Sequence, residues 1–126
     1  MIGFFGIFGR SRELRRLDDA LRAVDLHPRL VPEAVKLTTL KLLKEEHGEN
    51  PEPPAFTAAG ELLGYCLMGP RAFTEANGPE LTAAVEARLE AALAAGHSLD
   101  ARLVLLALYA GVIQPAVVER YGLETD

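Results

Sequence analysis

The chain has no tryptophan, one cysteine and three histidines among its 126 residues. A lone cysteine, Cys66, closes no internal disulfide, so an apolar core has to hold the fold. With no secretory pattern beside it, that usage fits a reducing, cytoplasmic compartment. Cys66 lies between Tyr65 and Leu67 in an apolar stretch, where a thiol behaves as a small, inert hydrophobe. No second cysteine can join His27, His47 or His97 around zinc, and none of these histidines belongs to an HExxH pair. Each stands beside an expected helix end, placed to meet C-terminal carbonyls. There is no GxSxG, no P-loop, and no GxGxxG after a strand. Catalytic, cofactor-binding and metal sites therefore have no candidate residues. An enzyme would have to be a helical cleft assembled from distant positions.

Other shortages narrow the classes further. No apolar run reaches the length of a membrane span. Period-two alternation is missing and β-branched residues never cluster, so strands are not expected. Aromatic residues make up 6% of the chain and do not interleave with basic ones, as stacking on single strands requires. Lys36, Lys41 and Lys44 scatter over roughly 140° of a helical wheel rather than forming a stripe. Nucleic acid is therefore not the expected partner.

What is present is helical punctuation. Hydrophobic residues are 49% and charged residues 25%, an ordinary globular composition, and a chain of this length buries roughly two-thirds of its unfolded surface. The expected fold is all-α, a single compact bundle of about six helices. The first spans 11–26, with Ser11 as N-cap and Leu14, Leu17, Leu21 and Val24 within an arc of about 80°. Asp18 with Arg22, and Arg15 with Asp19, are its expected surface pairs. The second spans 32–47 and stops at Gly48. After the Pro-rich segment 49–54, a linker and potential sub-boundary, the third covers 57–76 with a break at 69–70 and Thr57 as cap. Its Gly60 and Gly64 share a face and invite close approach of another backbone within the core. The fourth covers 79–95, with a ridge of Leu81, Val85, Leu89 and Leu93. The fifth covers 99–113 behind Ser98; its run 103–110 is apolar all round, which places it at the centre of the core. The last covers 115–121.

Charge is unevenly distributed. Residues 1–44 carry nine Lys/Arg against five acids, and residues 45–126 carry four against thirteen, so a net charge of −5 hides a +4 lead and a −9 remainder. Such asymmetry bears on association rather than on fold. The lead opens with Phe4, Phe5, Ile7 and Phe8, directly before Arg10, Arg12, Arg15 and Arg16. A signal peptide would put its positive charge first, so export is not expected. The composition as a whole points to a non-catalytic protein-interaction role, most simply a homodimer. Its candidate interaction residues are Phe4, Phe5, Ile7, Phe8, Arg12, Arg15 and Arg16. The same set could instead make a peripheral membrane contact, with the aromatics in the interface and the arginines on anionic headgroups.

Overall fold

Seven α-helices make up the fold in the computed structural model, which describes the backbone of residues 2–123 and the side chains of residues 12–123. They are α1 (Ile2–Ala23), α2 (Glu33–His47), α3 (Pro53–Met68), α4 (Pro70–Asn77), α5 (Pro79–Ala95), α6 (Leu99–Tyr109) and α7 (Pro115–Tyr121). A short 3-10 turn, Pro28–Leu30, links α1 to α2. Among the described residues there is no strand.

Most helix ends follow local backbone chemistry. Prolines occupy the first turns of α3, α4, α5 and α7, where a missing N–H costs nothing. Ser98 caps α6, its Oγ accepting from Ala101 N at 3.1 Å. Four boundaries differ from the sequence expectation, one of them the end of α6, which stops at Tyr109 rather than 113 because Gly111 turns left-handed (φ 73°). Helix α1 starts at Ile2, so Ser11 falls inside the helix rather than at its start; Gly3, Gly6 and Gly9 weaken a helix there but no proline ends it. It also ends earlier, at Ala23, because Asp25 takes a left-handed conformation (φ 70°) and Leu26 N returns to Leu21 O at 3.0 Å. Aspartate tolerates that geometry, and the loop it makes closes the helix before Pro28 acts. Helix α3 begins at Pro53, and the Thr57 hydroxyl donates to Pro53 O at 3.2 Å instead of capping.

The centre of the core is α3, not α6. Leu62, Leu63, Tyr65 and Cys66 are completely shielded, and Phe56, Ala59 and Leu67 nearly so. Helix α6 buries Leu103, Val104, Ala107 and Leu108 but leaves Leu105 (39%) and Tyr109 (64%) in solvent. Apolar residues all round a helix did not suffice to centre it. Small ones did, because they let neighbours close in on several sides. The ridge on α5 also ends early: Leu93 is exposed and Ala92 is buried in its place.

Glycines on α3 set the main contact. A Cβ on Gly60 would lie 2.8 Å from the Ala20 Cβ and 2.9 Å from the Ala20 carbonyl carbon and oxygen. One on Gly64 would lie 2.7 Å from Val24 Cγ2. Residues 20 and 24 thus meet 60 and 64 in the same order, so α1 and α3 run parallel with their backbones close. Leu17 and Leu21, both fully buried, pack beside this seam. At its end, Asn77 Nδ2 donates to Val24 O at 3.0 Å and to Phe73 O at 3.2 Å, satisfying carbonyls that helix termini leave open.

Candidate functional site

The basic face of α1 was the first candidate from sequence, and its described part is open. Arg12, Arg15 and Arg16 are exposed, and among the described residues none of them forms an ion pair. The side chains of Phe4, Phe5, Ile7 and Phe8 lie outside the described residues. The acids on α1 are engaged differently from the expected pattern. Asp18 pairs with Lys36 of α2 at 3.2 Å rather than with Arg22, and Asp19 pairs with Arg22 at 3.5 Å rather than with Arg15. Glu13 meets Lys44 at 3.0 Å. Lys36 is 8% exposed, so its charge is held by the antiparallel packing of α2 on α1 and by Asp18. These cross-helix pairs consume the carboxylates that would otherwise neutralise the arginines, and the basic face follows.

Beside it, between α1 and α2, a groove of about 580 Å³ is lined by Leu37, Leu40 and Lys41 together with Glu13, Lys44, Glu45 and Glu49. Leu37 and Leu40 supply its apolar ground.

A second polar cluster was not anticipated. The Tyr65 ring is fully buried in α3, edge-on to Phe73 with centroids 5.7 Å apart. Its hydroxyl donates to Glu86 Oε2 of α5 at 2.7 Å, and the Tyr121 hydroxyl of α7 lies 3.3 Å away. Arg120 Nη1 is 3.4 Å from the same Glu86 oxygen. Burial, followed by the hydrogen bonds to Tyr121 and Glu86, drives the Tyr65 phenol far above its ordinary range. Burial also raises Tyr121, against its contact with the Tyr65 hydroxyl, which lowers it. The signal was present in the sequence: a buried phenol in an apolar helix has to find a partner. Which partner it finds depends on packing across 21 and 56 residues of chain. Next to this cluster, α4, α5 and α7 border a second, open groove of about 560 Å³ that Thr74, Thr82 and Glu86 help to line.

Other polar contacts tie helices together. Arg88 of α5 donates to Asp100 from Nε (3.1 Å) and Nη2 (2.9 Å), and its Nη2 also reaches Ala58 O at 3.1 Å. Its Nη1 reaches Glu61 at 3.4 Å, so one guanidinium ties α3, α5 and α6 together. The Cys66 thiol is fully buried and pushed up to about 12 by that burial. His27 is not a donor to helix carbonyls; its Nδ1 accepts from Arg29 N at 3.1 Å and opens the 3-10 turn. Among the described residues, no group of three His, Cys, Asp or Glu could hold a metal ion, and no single helix is long and apolar enough to cross a membrane. Comparison with protein-family models, curated proteins and solved structures gave no match.

Proposed function

We propose that the protein acts by association, as a homodimer built on the first turns of α1, with no catalytic role. The observation that carries this reading is the level at which α1 meets its neighbours. Glu13 pairs with Lys44 one turn before α2 ends at His47. By the register that sets Ala20 on Gly60, Glu13 is also the counterpart of Pro53, where α3 begins. The turns of α1 before Glu13, back to Ile2, therefore extend past the start of α3 by roughly 16 Å and past the end of α2 by about 12 Å, at 1.5 Å per residue. Four large apolar residues, Phe4, Phe5, Ile7 and Phe8, belong to those turns.

In this reading a second copy packs on those turns. Three phenylalanines remove up to about 600 Å² of surface, and with Ile7 and the arginine stems the total approaches the roughly 800 Å² per partner of a stable interface. The groove at Leu37 and Leu40 adjoins the start of this stretch and offers apolar ground to the turns of the other copy. Charge is compatible: Glu45 and Glu49 at the rim of that groove offer carboxylates to Arg12, Arg15 and Arg16 of the other copy. Twofold symmetry lets each copy give and receive the same contact.

Changing Phe4, Phe5 and Phe8 together to Ser, in the full chain, tests this. Size-exclusion chromatography with light scattering should show dimer for the parent and monomer for the variant. Vesicle flotation with and without phosphatidylserine, run in parallel, checks the membrane alternative. A monomeric parent that floats only with anionic vesicles would replace the dimer by a peripheral membrane contact.

A further inference from the structure

The groove between α4, α5 and α7 brings charges of both signs together over apolar ground. Arg71, Arg120, Glu75 and Glu86 all line it, with Pro70, Pro79 and Ala83 between them. Glu86 is the group held most firmly. Its side chain is 18% exposed, and the buried Tyr65 hydroxyl fixes Oε2 at 2.7 Å. Arg120 approaches that same oxygen, which leaves Oε1 for another donor. The two threonines also present acceptors. Thr82 gives its proton to Gly78 O at 2.9 Å. Thr74 gives its own to Pro70 O at 2.6 Å or to Thr82 at 2.9 Å. Neither hydroxyl has a proton left for the groove, so only lone pairs face it. A carboxylate and two hydroxyl acceptors at one place suit an ammonium group, and Arg71 and Arg120, both exposed, suit a carboxylate. At about 560 Å³, the space is within the range of small-molecule sites.

We propose that this groove binds a small zwitterion of the α-amino-acid class. The ammonium sits at Glu86 Oε1 beside Thr74 and Thr82, the carboxylate meets Arg71 and Arg120, and an apolar side chain lies on Pro70, Pro79 and Ala83. The site is independent of the first turns of α1, so it stands whether the protein is monomeric or dimeric.

Isothermal titration calorimetry of the full chain with three probes tests it: L-leucine, 3-methylbutylamine, which keeps only the positive charge, and 4-methylpentanoate, which keeps only the negative one. Leucine should bind saturably, one per chain, and each single-charge probe about tenfold more weakly or worse, since each forfeits a charge-assisted contact. Glu86→Gln keeps an acceptor for Tyr65 but loses the charge, and should weaken leucine about tenfold. Arg71→Gln, at an exposed position outside the core, should weaken leucine and 4-methylpentanoate and leave the amine unchanged. The absence of saturable heat for leucine up to about 10 mM overturns the proposal. So does a single-charge probe that matches leucine, or wild-type affinity in both variants.

Discussion

Replacing Gly60 by alanine should destabilise the protein even though alanine is the better helix former. The new Cβ would lie 2.8–2.9 Å from the Ala20 Cβ, carbonyl carbon and oxygen. Two of those atoms are backbone, so no side-chain rotation relieves them. Ordinary contact needs about 3.5 Å, so α1 must move away from α3 by roughly 0.6 Å, a gap that forfeits about a quarter of each contact it opens. Leu17 and Leu21 flank the seam; with about 50 contacts each at ~0.1 kcal/mol, the loss is about 2.5 kcal/mol. The propensity gain offsets about 1 kcal/mol, and the net is about 1.5 kcal/mol. In urea, with a slope of about 1.5–2 kcal/mol/M for a chain of this size, the midpoint should fall by roughly 0.8–1 M. Gly64→Ala should cost less, because its closest atom is the end of the Val24 side chain, Cγ2 at 2.7 Å. Combining Gly60→Ala with Ala20→Gly should restore only part of the loss, since the Ala20 carbonyl stays in place. Circular dichroism at 222 nm during urea titration reads all three. A Gly60→Ala midpoint at or above the parent, or Gly64→Ala proving the more damaging, would refute the seam as the main constraint on α1.

Three further outcomes follow from the buried polar groups. The Cys66 thiol, buried and pushed up to about 12, should resist Ellman's reagent at pH 8 and react stoichiometrically in urea; fast labelling of the native protein would contradict its burial. Tyr65 is raised on folding, so it contributes stability that is full below the unfolded phenol value of about 10 and is lost as pH rises above it. The urea midpoint should therefore drop between pH 9 and 11, and Tyr65→Phe should lessen that dependence, the buried Cys66 thiol contributing the rest; an unchanged slope would argue against the burial of the Tyr65 phenol. Arg88→Met leaves Glu61 and Asp100 half-buried without their shared partner, at a cost of about 2 kcal/mol. If Arg88 is the tie, a double-mutant cycle with Asp100→Asn should show strong coupling, and additive effects would exclude it.

How much of this was legible beforehand depends on where each piece of information resides. The bounds of α5 and α7, the break at Gly69-Pro70 and the Ser98 cap follow from residues within a turn of the feature, and sequence finds them. Gly60 and Gly64 announced a close approach, though not that α1 would make it. Apolar coverage of α6 points to the wrong centre for the bundle, because coverage is not burial. Leu105 is as apolar in sequence as Leu103 and Leu108, and only the placement of α2, α3 and α5 around α6 separates it from them. The start of α1 is hard to read for a different reason: Gly3, Gly6 and Gly9 argue against a helix and Ser11 is an acceptable cap, yet the helix runs through all four. The Tyr65–Glu86–Tyr121 cluster and the Arg88 tie join residues from separate helices. No local pattern encodes such joins, so they needed the fold.

Association through the first turns of α1 is tested most directly by sedimentation equilibrium of the full chain over micromolar concentrations. The account predicts an apparent mass rising from 13.6 kDa toward twice that value, with the curve fitting a monomer–dimer equilibrium. A mass that stays at 13.6 kDa at every concentration would contradict it.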